Sequence, residues 1–376
     1  MIYFDNASTT QQIGSPSSFF NPSSPHSLGI KADRALRDAR IRISSIFNCL
    51  NLQSSNYSIS NTTPTFSHDD FIFTSGGTES NNLAILGFAL SNIRKCPSLV
   101  FSPYEHPSII APINFACERK WAQGANINAI PQGTALITIS QVNHETGDIN
   151  NIRNLVSWIK ENNPSAIIHV DGAQGFCKEK LCFDSVDMYS FSGHKVHGPV
   201  GVGGLWVRKG IPLTPQLHGG GQEKGLRSGT ENVAGIIQMT EAIEFLANAI
   251  EVNHAHVTAI KQIMLGLAKL TDVTINTLGD NSSPYILNMS FLGVKGEVLV
   301  HALSEKGLFV SMGAACRSRK SSKSALELMG FSSEAAKSAI RFSFSHLNTL
   351  EEAATACELV STEVKRFRKM KGFKSK

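Results

Sequence analysis

A hydroxyl, a histidine and a lysine stand together in Ser192-Gly193-His194-Lys195, directly after the apolar run Asp187–Phe191. A lysine amine presented at the end of a strand can act as a nucleophile and can hold an aldehyde cofactor as a Schiff base. A solvated surface turn would read the same from this stretch alone. Upstream, Asp171 closes the run Ala166–Val170. A carboxylate there can keep a pyridinium nitrogen protonated and turn a ring into an electron sink, although an isolated Asp after a strand is more often a cap. Gln174 and His106 could position such a ring, one by hydrogen bonding and the other by stacking. Ser75-Gly-Gly-Thr-Glu-Ser80 follows one apolar run and opens a helical pattern, so its glycines, hydroxyls and amides can approach an anion. It lacks the Gly-Lys-Ser/Thr ending of a P-loop, and Gly201-Val-Gly-Gly204 fails the spacing of a dinucleotide fingerprint.

Two later stretches carry chemistry of another kind. Gly219 to Asn232 is glycine-rich and brings Arg227, Ser228 and Thr230 before a helix, as either an anion loop or a crossing between domains. Met312-Gly-Ala-Ala-Cys-Arg-Ser318 places Cys316 among small residues beside Arg317, Arg319, Lys320 and Lys323. Positive charge favours the thiolate, which is the nucleophilic form. The other six cysteines lack that setting, and Cys49, Cys117 and Cys357 read as packing on helix faces. Arg341, on the run Ile340–Phe344, has the planar fork that binds a carboxylate at two points, or a surface salt bridge.

These residues need elements to position them. The runs Phe71–Phe73, Leu99–Phe101, Ala135–Ile139, Ala166–Val170, Asp187–Phe191 and Gly204–Val207 read as strands. Helical spacing recurs over Ala32–Ile46, Ser80–Leu90, Ile109–Gln123 and Ile152–Asn162. This alternation predicts an α/β domain, and ligands of open α/β sheets lie at the carboxyl ends of strands, where the polar clusters fall. Glu231–Leu270 reads as largely helical and leads to a second domain. Strands are predicted there at Ile286–Phe291, Leu308–Val310 and Ile340–Phe344. A helix Glu297–Lys306 ends at Gly307, and a last helix starts at Leu350 behind a Thr349/Glu352 capping box. Asn51–Asp70 is polar and unpatterned, which predicts an exposed insertion.

Bulk properties narrow the class. With 376 residues, 41% of them hydrophobic and 17% charged, the chain can build two domains with a large core. No apolar run reaches the length of a membrane span, and the start of the chain has neither signal-peptide nor transit-peptide character. Seven cysteines without a Cys-x-x-Cys pair predict no disulfide framework, no zinc ribbon and no other metal site, so a cytoplasmic setting is expected. The formal charge of +5 is concentrated in the last dozen residues, which read as a frayed basic end. No aromatic-interleaved basic stripe points to nucleic acid.

Taken in order, Tyr3-Phe-Asp-Asn-Ala-Ser-Thr-Thr10, Asn21-Pro-Ser-Ser24, Phe73-Thr-Ser-Gly-Gly-Thr-Glu-Ser-Asn-Asn82, Glu105-His106, Val170-Asp-Gly-Ala-Gln174, Ser190-Phe-Ser-Gly-His-Lys195, Arg227-Ser-Gly-Thr230, Ala315-Cys316 and Ile340-Arg-Phe-Ser343 resemble a known family. It is that of the cysteine desulfurases of the NifS/IscS type, within the class-V aminotransferase fold. The resemblance spans nearly the whole chain. It implies the type I fold of pyridoxal-phosphate-dependent transferases, a large mixed-sheet α/β domain plus a smaller α+β domain. The division implied is 11–252 for the cofactor domain, with 1–10 and 253–376 forming the small domain that carries Cys316 and Arg341.

The activity implied is conversion of L-cysteine to L-alanine with pyridoxal 5'-phosphate, leaving a persulfide on Cys316. The sulfur would supply iron–sulfur clusters or other cofactors. Lys195 would hold the cofactor and move protons, Asp171 would pair with the ring nitrogen, Gln174 would contact the ring hydroxyl, and His106 would stack on the ring. Gly77, Thr78, Ser192 and His194 would bind the phosphate, with Thr230 reaching it from the partner in a homodimer, and Arg341 would hold the substrate carboxylate. An iron–sulfur scaffold or another sulfur acceptor is the implied protein partner. The chain departs from the family at Asn143-His144, where two asparagines are usual; His144 keeps a hydrogen-bond donor toward cofactor or substrate. The segment after Thr10 is shorter than in the family, and a basic tail replaces the usual C-terminal extension. Selenocysteine lyase chemistry, another class-V activity and a weakly active scaffold relative are the competing readings.

Overall fold

The computed structural model describes residues 1–8, 20–54, 66–67, 70–180, 186–277, 281–312 and 323–370, apart from the side chains of 52–54. They fall into two compact units: Gln11–Gln141 with Asn150–Asn248, and Met1–Thr10 with Val142–Ile149 and Ala249–Lys376. Cys316 and its basic neighbours Arg317, Arg319 and Lys320 lie outside the described residues.

The larger unit is built on a seven-stranded sheet. Its strands lie side by side in the order Phe71–Thr74, Gly203–Val207, Met188–Ser192, Ile167–Asp171, Leu136–Ser140, Ser98–Phe101 and Gln123–Asn126. Only Gly203–Val207 runs against its neighbours, so the carboxyl ends of the other six share one edge. Four strands, Phe71–Thr74, Gly203–Val207, Met188–Ser192 and Leu136–Ser140, are buried at every position, so they show no alternation of buried and exposed residues. The strand Gln123–Asn126, which begins at the residue expected to end the helix Ile109–Gln123, is exposed and weakly apolar, and it is defined by parallel pairing with Ser98–Phe101.

Helix Ser27–Ser54 outruns the predicted Ala32–Ile46 because Phe47 and Leu50 continue its buried stripe of Ala32, Leu36, Ala39 and Ile43. Phe47 is fully buried among Phe66, Phe71, Phe176, Tyr189 and Phe191, with ring centroids 4.8–5.8 Å away. Burial of such a ring contributes about 1.5–3 kcal/mol. Phe66 corrects the expectation of a wholly exposed insertion. It is 2% exposed, and Asn48 grips its backbone through both N–H (2.9 Å) and carbonyl (3.1 Å). An isolated aromatic in a polar stretch has no period to betray its burial.

The smaller unit holds an antiparallel sheet ordered Ser311–Met312, Ala339–Ser343, Ile286–Phe291 and Val273–Ile275, and a short parallel pair, Ile2–Tyr3 with Leu308–Phe309. Its core joins Leu287, Met289, Ile340 and Phe342 of the sheet to Val257, Leu299 and Val360 of three helices, Ile250–Met264, Gly296–Glu305 and Leu350–Met370. Gly307 takes φ +79°, as a helix-ending glycine does, and Thr349 and Glu352 exchange capping bonds at 3.1 and 3.2 Å.

The segment Val142–Ile149 belongs to this unit although it interrupts 11–252. Asp148 bridges Ser282, and Val142 packs with Ala7 and Ile286. The basic end is not wholly frayed either: helix Leu350–Met370 buries Arg368, whose guanidinium donates to the carbonyls of Leu292, Thr271 and Asp272 at 2.6–2.9 Å. Residues 371–376 lie outside the described residues. No single helix among the described residues is long and apolar enough to cross a membrane.

Candidate active site

In the larger unit, five strand ends bring polar groups to one edge of the sheet. Strand Phe71–Thr74 ends in Ser75 and Gly76, and helix Gly77–Ser91 starts without a side-chain cap on Gly76. The Ser75 amide donates instead to Glu79 Oε2 (2.7 Å), and Arg227 Nε donates to Glu79 Oε1 (3.0 Å). Burial works to raise the Glu79 pKa, but these bonds outweigh it and hold the carboxyl below its ordinary value. Thr230, two residues beyond Ser228 in the same loop, is exposed.

Gly76 and Gly77 lie against the end of strand Met188–Ser192. A Cβ on Gly77 would sit 3.5 Å from Ser192 Cβ, and one on Gly76 would sit 3.7 Å from Ser192 Oγ. That hydroxyl is buried and has no hydrogen-bond partner among the described residues. The chain then makes a single tight turn, Gly193–Lys195. Gly193 permits it, because a Cβ there would meet Val202 and the Pro199 carbonyl at about 3 Å. His194 is pulled down to about 4 by burial first, then by Lys195 and Lys178. Its imidazole is neutral at pH 7, in surroundings already rich in positive charge. Such a place favours an anion.

Asp171 stands on the next strand, in register with Ser140 on one side and Ser190 on the other. Its Oδ1 accepts from the Ala173 amide (3.0 Å) and its Oδ2 from Asn81 Nδ2 (2.8 Å). Gly172 beside it must lack a side chain, since a Cβ would fall 2.0–2.4 Å from the Tyr189 ring. Tyr189 in turn donates to Gln141 Oε1 (2.6 Å). Gln174 is buried in the turn that follows.

His106 caps helix Pro107–Glu118, its Nδ1 accepting from the Ser108 amide at 3.1 Å. The preceding Glu105 accepts from the amide and hydroxyl of Ser140. Burial, only partly offset by these bonds and reinforced by the Asp171 charge, pushes its carboxyl up to about 7. The four centres Glu105–His106, Asp171–Gln174, Ser192–Lys195 and Gly77–Thr78 thus share the carboxyl edge of one sheet. This edge can hold a phosphate at the Gly77/Ser192 end and a charged ring atom at Asp171.

In the smaller unit, Arg341 occupies strand Ala339–Ser343, opposite Asn288 and Ser311. Its Nη1 donates to the His144 carbonyl (2.8 Å) and its Nη2 to Ser8 Oγ (2.9 Å), with Asp5 Oδ1 3.6 Å away. Nε is buried without a partner among the described residues. Asn143 is a turn builder: its Oδ1 accepts from the amides of Glu145 (2.9 Å) and Thr146 (3.0 Å). His144 directs Nε2 toward Glu145 Oε1 at 3.7 Å. This cluster can hold a small carboxylate.

The family model for class-V aminotransferases matches residues 2–355. The chain belongs to the class-V aminotransferase family. Within it, the chain is of the NifS/IscS type. It is 35% identical to the "NifS/IcsS protein homolog" of Lactobacillus delbrueckii subsp. bulgaricus over 94% of both chains. It is 31% identical to "Cysteine desulfurase IscS 1" of Archaeoglobus fulgidus over 98% of both. A solved structure titled "NIFS-LIKE PROTEIN" superposes with a TM-score of 0.86 at 27% identity, covering 97% of this chain and 99% of that one. The fold of this class-V family member is therefore the type I transferase fold expected for it.

Sequence reasoning passed over several residues that build the edge in this NifS/IscS-type chain. Asn81 falls inside the predicted helix Ser80–Leu90 and Ser108 just before the predicted Ile109–Gln123, yet both are buried, Asn81 bonded to Asp171 and Ser108 to His106. Neither a single amide inside a helix nor a serine ahead of one disturbs the hydrophobic period, so the pattern carries no signal for them. Lys178, 5% exposed and pulled down to about 8 chiefly by burial, is a second lysine, beside Lys195, whose charge acts on His194. Cys49, read as helix-face packing, is exposed.

Proposed function

We infer that this protein is a cysteine desulfurase, converting L-cysteine to L-alanine and transferring the sulfur to Cys316 as a persulfide. One observation carries the reading: in a NifS/IscS-type chain, Asp171, Ser192 and the Gly193–Lys195 turn sit at the carboxyl ends of adjacent parallel strands. Pyridoxal 5'-phosphate fits these residues. The unpartnered, buried Ser192 Oγ and the side-chain-free Gly76–Gly77 beside it are suited to a phosphate, with Thr78 and His194 as further ligands. Asp171, already bonded to Asn81 and Ala173, is suited to a protonated ring nitrogen. Gln174 would meet the ring hydroxyl, His106 the ring face, and Lys195 Nζ the aldehyde. Thr230 would reach the phosphate of a second subunit in a homodimer.

The bound cofactor would supply an electron sink that eases loss of the substrate Cα proton and weakens the carbon–sulfur bond. Lys195 Nζ would carry that proton. Arg341 would pair with the substrate carboxylate, with His144 as a hydrogen-bonding neighbour to the substrate. Cys316 Sγ would attack the substrate sulfur, forming the sulfur–sulfur bond as the bond to Cβ breaks, and the released three-carbon unit would take up protons to become alanine. A cofactor domain and a smaller domain, the latter now including Val142–Ile149, a cytoplasmic location, and an iron–sulfur scaffold or other sulfur acceptor belong to the same reading. The name "Cysteine desulfurase IscS 1" carried by the Archaeoglobus relative supports it.

Product analysis tests the proposal. Protein supplied with pyridoxal phosphate should absorb in the visible, form alanine from L-cysteine without any amino acceptor, and carry a persulfide on Cys316. Cys316→Ser should keep the visible band and stop sulfide release. A variant that releases sulfide at the wild-type rate would remove Cys316 from the mechanism.

A further inference from the structure

Asn81, on the second turn of helix Gly77–Ser91, is 1% exposed and spends both amide hydrogens on named partners. Nδ2 donates to Asp171 Oδ2 and to Ser108 Oγ, each at 2.8 Å. Turning this amide over would set its oxygen against the Asp171 carboxylate, two acceptors face to face. As placed, Oδ1 is buried without a partner among the described residues. The side chain thus gives up one of its own bonds to keep both donors in position.

Ser108 passes the constraint on. Its Oγ must accept from Asn81, because an amide NH2 group only donates. The hydroxyl hydrogen is then left for His106 Nδ1, 2.7 Å away. The Ser108 backbone N–H, also a pure donor, points at the same Nδ1 from 3.1 Å. Two donors converging on one ring nitrogen leave it no place for a proton of its own. A neutral imidazole must then carry its hydrogen on Nε2.

We propose that Asn81 and Ser108 are positioning residues that couple the Asp171 carboxylate to His106 and hold His106 as the Nε2–H tautomer. The use of this device rests on the desulfurase reading, in which Asp171 and His106 face the same cofactor ring. Asp171 would then be the charged group toward the ring, and His106 a neutral one that offers a hydrogen from Nε2. The order of donors makes the arrangement directional: it starts from an acceptor-only carboxylate and ends at an acceptor nitrogen.

Nitrogen-15 NMR of the pyridoxal-phosphate-loaded protein, labelled at histidine and assigned by the resonance lost in His106→Gln, reads the tautomer directly. The wild type should show a pyridine-like Nδ1 and a pyrrole-like Nε2 at His106. In Ser108→Ala and Asn81→Ala the two resonances should move toward each other, because one donor to Nδ1 is deleted or freed to rotate. Ser108→Thr keeps the hydroxyl and should keep the wild-type separation, which a packing role alone would not predict. A pyrrole-like Nδ1 in the wild type would overturn the proposal, and so would wild-type separation in both alanine variants. Failure of the desulfurase reading shows elsewhere: the protein would take up no chromophore, while its imidazole resonances could still be read.

Discussion

Around Asp171, polar side chains hang from the carboxyl ends of neighbouring parallel strands, whereas around Arg341 they are gathered from four stretches far apart in the chain: Asp5 with Ser8, His144, Ser311 and Arg341 itself. The first arrangement is rigid by construction, since the strand register fixes Ser140, Asp171 and Ser190 side by side. In the second, register fixes only Ser311 beside Arg341, side-chain bonds bring in Ser8 and the His144 turn, and two of the guanidinium's nitrogens are already engaged by the protein. A substrate carboxylate there would have to share or displace bonds that exist without it. Each region also keeps a buried group with nothing to bond among the described residues, Ser192 Oγ at the strand edge and Nε of Arg341. On the desulfurase reading the first region would hold the resident cofactor and the second the visiting substrate.

Substitutions that separate the two regions sharpen this contrast. Lys195→Ala should abolish the visible band and lower turnover with L-cysteine by at least about a thousandfold, the scale of a lost proton-transfer group. Arg341→Lys should leave the band intact and raise KM roughly ten- to a hundredfold, since it loses the two-point fork at a charge-assisted bond worth about 1.5–3 kcal/mol. Loss of the band in Arg341→Lys would erase the distinction.

Smaller effects on stability should be confined to the strand edge. Glu105 is pushed up to about 7, chiefly by burial. Between the ordinary carboxylate range and 7 the folded chain keeps a proton that the unfolded chain has released. Stability should therefore fall as pH rises through that window, by roughly 3 kcal/mol in all, and stay at the lower level above it. Urea midpoints of wild type and Glu105→Gln on either side of the window check this; an equal pH slope in both would refute it. Gly172→Ala should cost about 1–3 kcal/mol in thermal denaturation, because its Cβ would overlap the buried Tyr189 ring. The equivalent change at Gly210, where a Cβ meets nothing within 4 Å, leaves only the strain of its positive φ and is the control.

Much of the strand edge was legible because its residues are contiguous with apolar runs. Asp171, Ser192 and Lys195 each follow a run that could only be a buried strand, and the carboxyl-end rule then places them together. From the residues alone the Arg341 cluster was legible only as a single arginine, and the family resemblance added His144 as a second substrate neighbour. Its partners come from the N-terminal segment and from the His144 turn, which sequence separation gives no reason to pair. Phe66 and Asn81 escaped for a related reason, since burial of one residue in a polar stretch, or of one amide inside a helix, leaves no periodic trace.

By itself the sequence determined the α/β alternation, the loaded strand ends and the membership of a family, because these rest on local pattern and on motifs kept in order. Tertiary structure alone decided that Val142–Ile149 joins the smaller unit, that Phe66 is core, and that Asn81 and Ser108 stand between Asp171 and His106. Each of these is a pairing between distant residues, settled by which buried donor finds which acceptor once the strands are in register. Hydrogen bonds of that kind are paid for only in the folded chain.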